Sequence, residues 1–175
     1  MKISLKLPSI CQLLLLAVVV TLSNPLLAQV PGVNRADSLY IRGNYVKTEV
    51  MVPMRDGVKL FTSIYVPKNT SQQYPIMFDR TPYSAAPYGA DAYKTSLGPS
   101  MAFAKDGYIF VYQDVRGCWM SEGTFVAVRP HNPDKKKKTD VDESSDSYDA
   151  IDWLIKNIPN KNPSHVKVRV LNKSI

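Results

Sequence analysis

A continuous apolar run, residues 108–112, leads into Asp114-Val115-Arg116-Gly117 and then into Ser121-Glu122-Gly123. A guanidinium bonds a carboxylate through two parallel N–H groups, so this pair is suited to fastening a loop to neighbouring strands. Ser121-Glu122-Gly123 reads as turn geometry. Upstream, Asp79-Arg80-Thr81-Pro82-Tyr83 ends in a phenol, a directional O–H donor that stays neutral at pH 7. Pro82 restricts the backbone that aims it. Nucleophilic chemistry has few other candidates. Cys118 has no histidine nearby in sequence to form its thiolate. The two histidines, His131 and His165, both precede Ser174 and read as surface residues. No clustered Cys, His, Asp or Glu spacing points to a metal, and no cofactor is expected.

The elements that must position these groups are legible from periodicity. Val46, Thr48, Val50 and Val52 alternate with Lys47 and Glu49, which is strand spacing. Arg55-Asp56-Gly57 supplies a turn, and alternation resumes over residues 58–66 through Leu60, Thr62 and Ile64, so residues 46–66 read as a β-hairpin. Residues 75–79 read as a short buried strand and residues 100–105 as a short helix closed by Gly107. Residues 108–112 fit a strand covered on both faces. After a long loop over 117–145, Asp146 is expected to cap a helix over 147–158. Ile151, Leu154, Ile155 and Ile158 form its apolar stripe, and Pro159 stops it. A further strand is expected at 166–170. This order fits any α/β sheet.

The stretches 79–83, 106–123 and 147–160 carry a more specific message. In order and spacing they resemble the catalytic domain shared by cocaine-esterase-like, glutaryl-acylase-like and α-amino-acid ester hydrolases and X-prolyl dipeptidyl-peptidases, over residues 46–159. The resemblance implies the N-terminal part of an α/β-hydrolase sheet, truncated near the nucleophile strand. In that family a tyrosine in the Arg-Thr-Pro-Tyr context donates its hydroxyl to the oxyanion, a role that would fall to Tyr83. Ser174 stands in the register of the serine in Gly-x-Ser-x-Gly, with Asn172 replacing the first glycine and Ile175 following as the last residue. The fold places the acid and then the histidine after the serine, and no histidine follows Ser174.

At the other end, Lys2 and Lys6 precede an apolar core, residues 13–20, and Leu26-Leu27-Ala28 offers a cleavage site. That core is far shorter than the roughly 20 residues that span a bilayer. Residues 1–28 are therefore expected to be a signal peptide, and the protein to be exported, periplasmic or secreted, with no stable membrane anchor after cleavage. The expected organisation continues with a partial catalytic domain over 45–171 and an aberrant C-terminal end over 172–175. Cys118 is then the single remaining cysteine, which excludes an intramolecular disulfide. The formal charge is +7, and much of the excess is the run Lys135–Lys138. Asp140, Asp142, Glu143, Asp146 and Asp149 follow closely and no aromatic residues interleave, so a solvated loop is expected and no nucleic-acid partner.

Two functional readings follow. One is a fragment of an exported serine hydrolase that cleaves a small-molecule ester, an amide or a short peptide through an acyl-enzyme. It is inactive as given, because the nucleophile elbow, acid and histidine are missing. The alternative is a short secreted non-catalytic binding domain.

Overall fold

The computed structural model describes residues 34–127 and 129–170. The expected signal segment 1–28, the C-terminal end 172–175 and with it Ser174 lie outside the described residues. Among the described residues three helices, α1 (Arg35–Asn44), α2 (Met101–Lys105) and α3 (Glu143–Asn157), accompany five strands. The strands are β1 (Tyr45–Pro53), β2 (Lys59–Pro67), β3 (Tyr74–Thr81), β4 (Ile109–Asp114) and β5 (Lys161–Val170). They form one mixed sheet in the order β1-β2-β4-β3-β5. Among the described residues no helix is long and apolar enough to cross a membrane.

The expected hairpin is present, with Val46 opposite Val66 and Pro53 opposite Lys59. Its turn is closed by the Met54 N–H on the Val58 carbonyl at 2.8 Å. β2 runs antiparallel to β4, whereas β3 runs parallel to both β4 and β5. The chain thus leaves β3 for a strand on one side of it and later returns to a strand on its other side. In open α/β sheets such a reversal opens a crevice beyond the C-terminal strand ends, where ligands bind.

Side-chain alternation divides the core into two layers. On β4, Ile109 and Val111 face Ala150, Leu154 and Ile158 from α3 and its cap. Phe110 and Tyr112 face the opposite side, where Ile41 of α1 and Ala104 of α2 pack. Every residue of β4 is buried, as the apolar run predicts for Ile109 to Tyr112, and the polar Gln113 and Asp114 at its end are buried as well. Complete burial of a side chain such as Leu154 contributes about 1.5–3 kcal/mol.

Three details depart from the sequence reading. α3 begins at Glu143, and its cap is Asp142, which accepts the Ser145 N–H while the Ser145 hydroxyl accepts the Asp142 N–H. Asp146 is taken up by an ion pair with Arg116 instead of capping. At the start of β1 Lys47 is buried and Val46 exposed, whereas further along Val52 is buried with Val50 partly buried, on the face expected. α1 was not anticipated; Asn34 caps it by accepting the Ala36 N–H at 3.0 Å.

Candidate active site

Thr81 ends β3 opposite Asp114, which ends β4, so both following loops start at the C-terminal edge of the sheet. Tyr83 lies two residues past that edge. The Tyr83 N–H donates to the Thr81 hydroxyl at 3.0 Å, and the Pro82 carbonyl accepts from Trp119 Nε1 at 2.9 Å. The backbone on both sides of the Pro82–Tyr83 bond is thereby held while the side chain stays 54 % exposed. The next residue, Ser84, has φ +120°, a conformation that non-glycine residues rarely adopt.

Asp114 connects the two loops from below. Its side chain is completely buried, and it accepts the Ala85 N–H at 2.6 Å, the Tyr88 hydroxyl at 2.9 Å and the Met120 N–H at 3.4 Å. Because the Tyr88 proton is directed at Asp114, the contact of 2.9 Å between Ser84 and Tyr88 is donated by Ser84. Burial pushes the Asp114 carboxyl above its ordinary range, with the three donors acting in opposition. Tyr88 is pushed up to about 12 by burial, with its bond to Asp114 adding to the rise.

A second clamp approaches from β1. The Lys47 side chain is fully buried, and its ammonium donates to the carbonyls of Pro87, Gly89 and Ala92 at 2.7, 2.9 and 2.7 Å. Glu49 pairs with the same ammonium at 2.6 Å and also accepts the Gly89 N–H. The loop carrying Tyr83 is therefore fixed from both β1 and β4.

Arg116 fastens the loop through carboxylates as expected, but to a helix and the hairpin turn instead of to neighbouring strands. Its guanidinium is bidentate on Asp146 of α3, at 2.7 and 3.0 Å, and contacts Asp56 of the hairpin turn at 2.8 and 3.2 Å. Burial would lower the Arg116 pKa, but the bonds to Asp146 and Asp56 outweigh it and the net shift is upward. Gly117 follows at φ +71°, where an added Cβ would lie 2.1 Å from the Phe125 nitrogen, so only glycine fits. Ser121 and Glu122 then return the loop to β2. The Ser121 hydroxyl accepts the Phe61 N–H, and a Glu122 carboxylate oxygen accepts the Lys59 N–H.

Of the residues singled out from sequence, the structure brings Tyr83, Asp114 and Ser121 to one edge. His131 instead lies against the α3 cap, with Nδ1 3.2 Å from Asp142, and His165 is exposed on β5. Among the described residues no group of three or more His, Cys, Asp or Glu side chains is placed to hold a metal. A cleft of about 240 Å³ is lined by Met77, Asp79, Phe103, Phe110, Tyr112 and Lys167, but Tyr83 is not part of its wall. Lys47, Tyr88 and Trp119 were missed from sequence. Lys47 has only its place in a strand alternation, and Tyr88 and Trp119 sit in irregular segments without periodicity.

The chain is similar in sequence and fold to known proteins. Residues 56–164 match the family described as X-Pro dipeptidyl-peptidase (S15 family). The chain is 37 % identical over 116 residues to a cocaine esterase of Rhodococcus sp. (strain MB1 Bresler), covering 66 % of this chain and 18 % of that protein. An aminopeptidase from a marine sediment Thaumarchaeota archaeon superposes with a TM-score of 0.59 at 42 % identity, over 71 % of this chain and 21 % of the other. An α-amino acid ester hydrolase gives 0.59 at 36 % identity, over 85 % and 24 %. The chain thus spans about a fifth of the length of these relatives. With the family match extending over more than half of its residues, the chain belongs to the X-Pro dipeptidyl-peptidase (S15) family, within the serine-hydrolase superfamily of the cocaine-esterase-like enzymes.

Proposed function

We propose that this chain supplies the oxyanion side of an exported serine hydrolase that cleaves small-molecule esters, amides or short peptides through an acyl-enzyme, with Tyr83 as a donor to the oxyanion. The observation that carries the reading is the placement of Tyr83: an exposed phenol on a doubly clamped loop at the C-terminal edge of the parallel strands β3 and β4. A donor held before the reaction needs no reorganisation as charge develops on the carbonyl oxygen, and removing one such donor costs about 2.7–4 kcal/mol. The names of the similar proteins, an esterase, an aminopeptidase and an ester hydrolase, support acyl transfer as the reaction class.

The 175 residues are proposed to be inactive by themselves, since acyl transfer also needs a serine with a base and an orienting acid. The test compares this chain with an extended form that contains an intact nucleophile elbow, acid and histidine, using p-nitrophenyl acetate and an acylated amine. The extended form is expected to turn over and the 175-residue chain not. Tyr83→Phe in the extended form should lower kcat by about 100- to 1000-fold with the fold intact. An unchanged rate removes Tyr83 from the mechanism. Comparable turnover by both forms overturns the division of the site, and an inactive extended form points to a binding role.

A further inference from the structure

Three described non-glycine residues have positive φ, and two of them border Tyr83: Ser84 at +120° follows it, and Trp119 at +51° bonds to Pro82 before it. Backbone of this kind costs about 1–3 kcal/mol and clusters at functional sites. The Trp119 conformation is held by a turn in which the Cys118 N–H reaches the Val115 carbonyl at 3.0 Å and the Ser121 N–H reaches the Cys118 carbonyl at 2.9 Å. The strain does not serve core packing, because Trp119 remains 64 % exposed. Its one polar side-chain atom is satisfied by the Pro82 carbonyl, which ties the indole to the backbone one residue before Tyr83 with apolar surface left open.

The surroundings define what would lie on that surface. Met120, next in the chain, is also exposed. The neighbouring acids are occupied, Asp114 by three donors and Glu122 by the Lys59 N–H at 2.9 Å. Trp119 and Met120, on a segment tied to the backbone before Tyr83, thus expose an aromatic ring and a thioether.

We infer that Trp119 is a specificity-determining residue: its indole forms a wall for an uncharged aromatic acyl or leaving group of the ester or amide whose carbonyl is served by Tyr83. The inference rests on the proposed role of Tyr83 for its position next to the reacting carbonyl. A ring lying on a fixed indole gains from area burial and from offset or edge-on aromatic geometry. An acetyl group is too small to reach the same contact.

Two measurements test it. The chain has two tryptophans, Trp119 and Trp153, so ¹⁵N-labelled indoles give two resonances, and Trp153→Phe identifies them. Phenylacetamide titrated into the full chain should shift the Trp119 resonance saturably, by at least about fivefold more than acetamide, with Trp153 unmoved. Equal responses, or none, overturn the inference. In a catalytically active extended form, Trp119→Ala should reduce kcat/KM for a phenylacetate ester relative to the acetate ester by roughly tenfold, mainly through KM. An unchanged ratio also overturns it. Failure of the Tyr83 reading has a different signature, in which Tyr83→Phe leaves kcat on both esters unaltered. Tyr83→Phe should itself preserve the phenylacetamide-induced shift of Trp119.

Discussion

The Tyr88 hydroxyl and the Ala85 N–H bond to opposite oxygens of Asp114, at 2.9 and 2.6 Å, so a single buried carboxylate at the end of β4 grips the loop after β3 at two points. Neither loop is a regular element, yet the pair holds Tyr83 where the parallel strands end. The burial that raises the Asp114 carboxyl is opposed by donors from these loops and by the Lys94 charge, so the carboxylate and the loop conformation depend on each other.

Asp114→Asn keeps an acceptor for Ala85 but removes the charge facing Tyr88. The Tyr88 phenol, pushed up to about 12 by burial and by Asp114, is expected to titrate closer to the ordinary tyrosine value near 10. Tyrosine absorbance followed against pH measures this, with Tyr88→Phe identifying its component. A Tyr88 titration unaltered in Asp114→Asn would show that the carboxylate does not act on it.

Lys47→Met leaves three carbonyls and the Glu49 carboxylate without their shared cation. Breaking a buried pair from one side costs roughly 3–5 kcal/mol, and the partial exposure of Glu49 favours the lower end. Hydrogen exchange should quicken for amides of residues 85–94 while β4 stays protected. Lys47→Arg should not restore protection, because a planar fork cannot direct donors at three converging carbonyls as an ammonium does. Unchanged exchange in the loop would mean that the clamp is dispensable.

Asp142 governs acid stability. Burial would raise its carboxyl, but Lys135, the N–H groups of Asn132 and Ser145, and the Ser144 hydroxyl hold it well below the usual carboxylate range. Its contribution is therefore fully present above the unfolded value of about 3.9 and is lost as pH falls through the lower folded value. Asp142→Ala should cost about 1 kcal/mol at pH 7 from the cap alone. The gap from the unsubstituted chain in urea denaturation should shrink as pH falls below 4. A gap constant with pH would contradict the linkage.

Much of the fold was legible because it rests on local rules. The alternation of residues 46–52 and 58–66 around Arg55-Asp56-Gly57 became β1 and β2, and the apolar run 108–112 became the buried β4. Of the expected stripe, Ile151, Leu154 and Ile158 pack into the core, whereas Ile155 is not among the core residues. The α3 cap was misread because Asp142 and Asp146 are both competent N-caps in sequence. The choice was made by Arg116, 30 residues upstream of Asp146, which engages it from another element.

Tyr83 reaches the sheet edge because it follows a parallel strand, and residues that follow a parallel strand emerge at its C-terminal edge. What fastens Tyr83 was not readable. The Lys47 contacts span 40 to 45 residues and the Trp119 bond to Pro82 spans 37, all involving irregular backbone with no repeating pattern. Sequence by itself determined the strands, the helix and the residue types at the sheet edge, because periodicity, turn chemistry and burial act over a few residues. Only the tertiary structure decided which charge is buried, which carboxylate caps and which indole is tied to the backbone before Tyr83, because those choices depend on donors and acceptors brought together by the assembled sheet.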